Sequence, residues 1–495
     1  VAPRFSPAAS KSDWWLPIRP GTDMALLLAW MNLLVGEGRY DRDFVAKHGH
    51  GFDKFAAAIK GYTPEWAAEQ CGVSAEVIRA AAREFAAHRP AAIVHPGRRV
   101  NWYGDDTQRS RAIALLNALL GSYGRAGGLY VSQTMKVAPF ALPPYPKSDK
   151  PRADGADGSE FPFADEGITT SIRKATLTGK PYPIKGWVVY SANLMQALPN
   201  ERETIEAIDK LDLLVVCDTV PGEMAGYADV VLPDTTFLER HDELLVGYGR
   251  TGWAALRQPV VAPPHDQKPA WWIAKQLADK LGIGACMPFK DMEEYLAKRV
   301  TAAGLDWERL KAEGVIMGEH KPITVEEGLE LSFDTPSGKV EFWSDQLAAK
   351  GFDAVPKYTK HPEAPADHFR LITGRSPVHT FSRTQSNPLL HDLVSDNEVW
   401  VHAATAARLG LKHRDWVRLK NQDGATSNRV RVKATQRIRE DTVYMVYGFG
   451  HKAPMLKRAN GRGASAAALN TRYATDPLMG ATSIHANFVQ LVKEA

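Results

Sequence analysis

Gly186-Trp187-Val188-Val189-Tyr190, Leu213-Leu214-Val215-Val216-Cys217 and Asp229-Val230-Val231-Leu232 decide the fold of this chain. Each is an apolar run rich in β-branched residues and too short for a helix, and 201–210 between them reads as a helix. This spacing predicts parallel strands buried on both faces, in a doubly wound α/β unit. Ligands of such sheets bind beyond the carboxyl ends of the strands. Attention therefore falls on Asn193, after the first run, and on Asp218 and Thr219, after the second. An acid at such a place either accepts two hydrogen bonds from a ribose or a guanine edge, or caps the next turn; both readings stand.

Toward the N-terminus the pattern is similar. Residues 24–35 predict a buried helix closed by Gly36 and Gly38, and Ser74 caps a helix over 75–88 with Glu76 in its first turn. Ala91-Ala92-Ile93-Val94-His95 reads as a short buried strand ended by Pro96-Gly97, and 107–120 as a helix stopped by Gly121. Gly21-Thr22-Asp23 is either a cap for the first helix or a nucleotide contact. Residues 128–185 are rich in Pro, Gly, Ser and Asp and predict a long loop. Beyond them lie a helix over 271–281 and the turn 334–338 leading into a strand over 339–343. From Phe369 the period changes: 369–373, 398–402, 416–420, 429–433 and 442–447 are short β-type runs with one helical turn near 403–409, the pattern of a barrel. The expected class is α/β, with two doubly wound (Rossmann-like) parallel-sheet units followed by a C-terminal β-barrel. The corresponding divisions are 1–130, 131–260, a mixed connecting region 261–368, and 369–495.

Composition narrows the function. With 495 residues, 44% hydrophobic and 24% charged, the chain is neither disordered nor fibrous. Its apolar stretches are about a dozen residues long, below the ~20 needed to cross a bilayer. Cys71, Cys217 and Cys286 form no C-x-x-C pair, so neither a disulfide scaffold nor a zinc or iron–sulfur set is present in them. A net charge of +4 is no nucleic-acid footprint. From Phe369 onward, basic residues exceed acidic ones by about ten, which suits either an anion or a solvated face. None of the strands read above is followed by G-x-G-x-x-G and no P-loop occurs, so nicotinamide and P-loop chemistries lose their support. The densest polar cluster is Thr373-Gly374-Arg375-Ser376-Pro377-Val378-His379-Thr380-Phe381-Ser382-Arg383-Thr384, directly after a strand. Its hydroxyls, imidazole and guanidinium suit phosphates and heteroaromatic edges, although a solvated loop has the same composition. No carboxylate pair, G-x-S-x-G elbow or Cys/His dyad appears, so no catalytic residue and no metal ligand is assigned. The opening Val1-Ala2-Pro3-Arg4-Phe5-Ser6-Pro7 has no initiator Met, twin arginine or signal core, and is expected to lie part-way into a longer protein.

These landmarks, in order, resemble the molybdopterin oxidoreductase (dimethyl sulfoxide reductase) family. Val1-Ala2-Pro3-Arg4 is similar to its V-D-P-R strand end and Pro20-Gly21-Thr22-Asp23-Met24-Ala25-Leu26 to its P-G-T-D-x-A-L contact. Tyr40-Asp41-Arg42-Asp43-Phe44-Val45, Gly51-Phe52-Asp53, Gly61-Tyr62-Thr63-Pro64-Glu65 and the glycine-rich turn 120–128 match further landmarks, as do Ala228-Asp229-Val230-Val231-Leu232-Pro233, Asp476-Pro477-Leu478-Met479-Gly480 and Asn487-Phe488-Val489. Within the family, Trp102-Tyr103-Gly104-Asp105-Asp106-Thr107-Gln108-Arg109 and the proline-rich stretch 142–146 resemble the polysulfide, thiosulfate and sulfite-type large subunits.

The resemblance implies a molybdenum oxidoreductase large subunit carrying bis(molybdopterin guanine dinucleotide), with tungsten the alternative metal. It implies cofactor contacts from Arg19, Gly21, Thr22, Asp23, Asn193, Asp218, Thr219, Thr373, Gly374, Arg375, His379, Thr380, Ser382, Asn470 and Asn487. A [4Fe-4S] cluster and the molybdenum ligand are expected upstream of Val1. Implied partners are an iron–sulfur electron-transfer subunit, a membrane anchor subunit exchanging electrons with quinone, and a small inorganic sulfur anion as substrate, in a membrane-associated complex on the periplasmic face; nucleic acid is not among them. Ala2 stands where the family has an Asp toward guanine, which removes one hydrogen bond. The competing reading is a cofactor-free structural subunit of a respiratory complex derived from the same family; a generic α/β binding protein is a third.

Overall fold

The computed structural model describes residues 1–95, 103–137, 139–140, 143 and 148–494. The Pro96-Gly97 turn, Trp102 and most of the proline-rich stretch 142–146 lie outside them. The N-terminal body is organised around the Asp23–Gly36 helix, which is apolar on every side; Met24 to Met31, Leu33 and Leu34 are all buried. A helix with no polar face has to be surrounded, and the helices Pro64–Cys71, Ala75–Ala87 and Asp106–Leu119 enclose it. Their ends follow from local chemistry: the Ser74 hydroxyl accepts from the Val77 amide at 3.3 Å, and Gly121 leaves the third helix at φ +65°.

Strands Gly186–Tyr190, Leu213–Asp218 and Val230–Pro233 form the expected parallel sheet, in that order, with Gly186 opposite Leu213 and Val215 opposite Val230. They are not buried on both faces. Trp187, Val189, Leu214 and Val216 point into the core, whereas Val188 is 62% exposed and Tyr190, Leu213, Val230 and Val231 are exposed beside it. Alternation, rather than a uniform run, is thus the burial pattern of the first strand.

Three further expectations change. Ala91 to His95 is neither a strand nor buried, Ile93 being exposed: Asn117 grips it instead, donating to the Val94 carbonyl and accepting from the Val94 amide, both at 2.8 Å. The 128–185 stretch is not all loop, since Thr169–Thr178 is a helix anchored by buried Arg173, which donates to Thr204 Oγ1 at 3.0 Å and Glu203 Oε2 at 2.6 Å. A four-stranded sheet, Gln133–Thr134, Leu245–Gly249, Thr251–Ala255 and Val315–His320, joins segments far apart in sequence.

The C-terminal strands close a six-stranded barrel, in the order Phe369–Gly374, Thr442–Val446, Glu398–His402, Val430–Thr435, Trp416–Asn421, Phe488–Lys493. Its interior is apolar and fully buried, with Val399, Val401, Val417, Leu419, Val432, Val443, Met445 and Val489 at its centre. The Phe5 amide donates to the Arg437 carbonyl at 2.9 Å and Arg439 donates to the Pro17 carbonyl at 2.6 Å, so the first residues of the chain seam the helical body to the barrel. Among the described residues no helix is long and apolar enough to cross a membrane.

Candidate functional site

Two cavities open where the barrel meets the rest of the molecule, and the 373–387 loop reaches both. The first, about 460 Å³, lies between the barrel and the helical body; Val1 to Arg4, Asp23, Tyr103, Arg109, Thr373, Gly374, Arg375 and His485 line it. The second, about 640 Å³, lies between the barrel and the ends of the parallel strands; Asn193, Asp218, Thr219, Ser382, Thr384 and His451 line it.

At the first cavity, the turn before the Asp23 helix is shaped by Gly21, whose φ of +90° and close neighbours, Tyr103 and His361 at 3.2 Å from any Cβ, exclude a side chain. Thr22 Oγ1 donates back to the Arg19 carbonyl at 2.6 Å, and the Arg19 guanidinium donates to the Gln70 carbonyl at 2.8 Å. Of the four expected contacts on this turn, Asp23 alone lines the cavity, in the first helical turn where the dipole favours an acid. Across from it, a Cβ on Gly374 would lie 2.5 Å from the Tyr444 hydroxyl, so the backbone passes bare over the cavity wall. Arg375 stacks on Phe381 with its guanidinium 4.5 Å from the ring centroid.

Beneath this cavity lies a buried charge cluster that the sequence reading did not assign. Arg109, 3% exposed, pairs with Asp105 and, at 3.2 Å, with Asp106. Burial pushes the Asp106 carboxyl up to about 6 despite the 2.5 Å hydrogen bond from Ser483. Burial, reinforced by Arg109 and Arg370, holds His361 down to about 4, and burial raises the Tyr103 phenol above its ordinary range. His361 Nε2 stands 3.7 Å from Asp105 Oδ2. Thr373 Oγ1 is 3.3 Å from His485 Nε2, which ties the strand end to the closing segment of the chain.

At the second cavity, Asp218 forms the turn and also lines the space. Its Oδ1 accepts from the Thr219 amide at 2.7 Å and the Val220 amide at 3.4 Å, forming the turn, while the residue lines the cavity with Thr219. Asn193 donates through Nδ2 to Glu223 Oε2 at 2.7 Å. The same carboxylate accepts from His451 Nδ1 at 2.8 Å and the Lys452 amide at 2.9 Å. Burial works against its charge, but the His451 hydrogen bond and pairing and the Lys452 amide hold Glu223 down to about 2.

Of the remaining expected residues, His379, Thr380 and Asn487 are tied into local hydrogen bonds. His379 is buried with Nε2 2.7 Å from the Val394 carbonyl and Nδ1 3.2 Å from Thr384 Oγ1, so it shapes the loop rather than lining a cavity. The Thr380 amide donates to the same Thr384 hydroxyl at 2.9 Å. Asn487 is wholly buried, accepting from the Arg472 amide at 3.0 Å and donating to its carbonyl at 2.8 Å. Asn470 lines a smaller cavity of about 220 Å³ that shares Gln196, Ala197, Phe381 and Tyr447 with the second. Among the described residues, no group of three or more His, Cys, Asp or Glu side chains could hold a metal.

Comparison with known proteins agrees with this layout. Residues 1–280 match the family model described as molybdopterin oxidoreductase, and 369–488 the model described as molydopterin dinucleotide binding domain. The chain is 36% identical over 533 aligned positions to the thiosulfate reductase molybdopterin-containing subunit of Salmonella typhimurium, covering 99% of this chain and 69% of that protein. It is 27% identical to acetylene hydratase of Syntrophotalea acetylenica, over 85% of this chain and 62% of that protein. A solved acetylene hydratase structure from Pelobacter acetylenicus superposes with a TM-score of 0.81 at 24% identity, covering all of this chain and 73% of the other.

Proposed function

Because this chain belongs to the molybdopterin oxidoreductase family and is an oxidoreductase, we propose that it forms the cofactor-holding body of a catalytic subunit acting on a small inorganic sulfur compound. Thiosulfate, polysulfide and sulfite are the candidate substrates, and the likeness to a thiosulfate reductase subunit supports that class over the hydration carried out by the other relative. The observation that carries the reading is the pair of cavities sharing one barrel loop: a cofactor made of two dinucleotides would need two polar seats. The residues fit such a group. In the second cavity the Asn193 Oδ1 and His451 Nε2 atoms are buried without a partner among the described residues, and such atoms call for a polar ligand.

Asp23, Thr373 and Arg375 would hold one arm of bis(molybdopterin guanine dinucleotide), and Asn193, Asp218, Thr219 and Ser382 the other. The bound group supplies two-electron transfer at its metal. The protein's share is to bind, to orient and to exclude water: the buried Arg109–Asp105–Asp106 cluster stiffens the floor of the first cavity, and the apolar barrel closes the other side. Electron exchange with quinone through an iron–sulfur subunit and a membrane anchor, on the periplasmic face, completes the proposal, as does a [4Fe-4S] cluster held outside these residues. Metal analysis and pterin fluorescence of the purified complex test it. Molybdenum or tungsten with pterin, together with thiosulfate- or polysulfide-dependent electron transfer, is the expected result; absence of metal and pterin from an intact complex would favour the cofactor-free structural subunit.

A further inference from the structure

Two side chains that line the second cavity, Asn193 and His451, are both held by Glu223, and each keeps one buried polar atom without a partner among the described residues. Glu223 Oε2 takes the Asn193 amide nitrogen at 2.7 Å and its Oε1 the His451 ring at 2.8 Å. With the carboxylate accepting on both sides, Asn193 has to turn its Oδ1 away from Glu223, and His451, which is 1% exposed, has to keep a proton on Nδ1. We infer that Glu223 is a positioning residue that fixes Asn193 as an acceptor, with the His451 ring locked on its other side, so that the Asn193 Oδ1 and the Asp218 carboxylate together select a ligand edge rich in N–H donors. An amide oxygen and a carboxylate in one cavity suit the N1–H and N2–H2 edge of guanine. They oppose adenine, whose N1 is itself an acceptor, and cytosine, whose pairing edge carries acceptors at N3 and O2.

Glu223 sits on a short 3-10 turn of the sheet unit and His451 lies 228 residues further on, beside the barrel. The lock on Glu223 is therefore completed only when the two halves of the cavity are in place. An amide free to rotate would accept or donate indifferently; a site built for one hydrogen-bond pattern rejects the wrong one strongly, because its own groups are then left unpaired.

The inference rests on the guanine dinucleotide reading above, and its test separates the two. GDP, ADP and CDP are titrated by calorimetry into the cofactor-free full chain, wild type and Glu223→Gln, and guanine per pterin is measured in the cofactor-bound complex. The expected result is that wild type prefers GDP by about tenfold or more, and that Glu223→Gln, which puts an NH2 against one of its two partners, removes that preference while changing ADP binding little. Asn193→Leu, which keeps the side-chain volume and removes the amide acceptor, carries the test should Glu223→Gln fail to fold. A loss equal for all three nucleotides would mark a merely structural role and overturn the inference, as would unchanged GDP preference in both variants or none in wild type. A complex without pterin whose chain still discriminates GDP through Glu223 would overturn the cofactor reading and leave this one standing.

Discussion

The two cavities are built from different materials. The first has a floor of buried charge, in which Arg109 neutralises Asp105 and Asp106 beside Tyr103 and His361, all held by helix ends and the closing segment of the chain. The second has one buried carboxylate, Glu223, and a rim of hydroxyls and amides carried on turns. In the first, charge maintains the wall; in the second, charge orients groups that face inward. The lesson is that similar polar inventories can serve stability at one site and recognition at the other. Substitutions should therefore divide along the same line.

The largest effect is expected at the first floor. Arg109→Ala strands two buried carboxylates, a loss of about 3–5 kcal/mol, and should appear as a large drop in melting temperature with or without cofactor. A variant as stable as wild type would erase the distinction drawn here. Glu223→Gln comes next and sharpens the comparison through pH. The folded carboxyl titrates near 2 against an ordinary 4.5, so its contribution, about 3 kcal/mol, is present in full above pH 4.5. That contribution is lost as pH falls toward 2, and the stability gap between wild type and variant in denaturant titrations should close over the same range.

Asp218→Ala should leave folding nearly intact while weakening retention of the cofactor by about 1.5–3 kcal/mol, read as guanine and pterin per folded chain. Unchanged cofactor content would reduce Asp218 to a turn former. The smallest effect belongs to Thr22→Val. It removes one hydrogen bond to the Arg19 carbonyl, about 1 kcal/mol by thermal denaturation, with no change in cofactor content; a loss of cofactor would put Thr22 back among the contacts.

Legibility in the sequence followed the range of the interaction. The barrel could be read because alternation along Glu398–His402 or Trp416–Asn421 is a local property, and the parallel trio because its runs are bounded by turn residues. The strand-end rule placed Asn193, Asp218 and Thr219 at a cavity, since it needs only the end of a run. By contrast, Leu245–Gly249 and Thr251–Ala255 carry glycines that dilute the strand signal, and their partner Val315–His320 comes from far along the chain. Exposure of Val188 and Val231 could not be read either, because a β-branched run looks the same whether one face or two are covered. Arg19, Thr22, His379 and Asn487 were expected at the ligand from the resemblance, but each places hydrogen bonds on a backbone group or a neighbouring hydroxyl nearby in space. His451 and Glu223 were not singled out, and Tyr103 and Arg109 only as part of a resemblance, because their meaning lies in a meeting between distant segments.

One feature of the loop after Phe369–Gly374 reaches further. Arg375 stands at one cavity and Ser382 at the other, and between them Phe381 takes a left-handed φ of +51° against Gly448, where a Cβ would fall 2.2 Å from the Phe381 carbonyl oxygen. The strap is short, and Arg375 folds back onto Phe381, so one segment serves as wall to both cavities. Gly448 is the point at which the strap is gauged from outside: a methyl group there would press on the Phe381 carbonyl, and the crowding would be felt in the walls of both cavities at once.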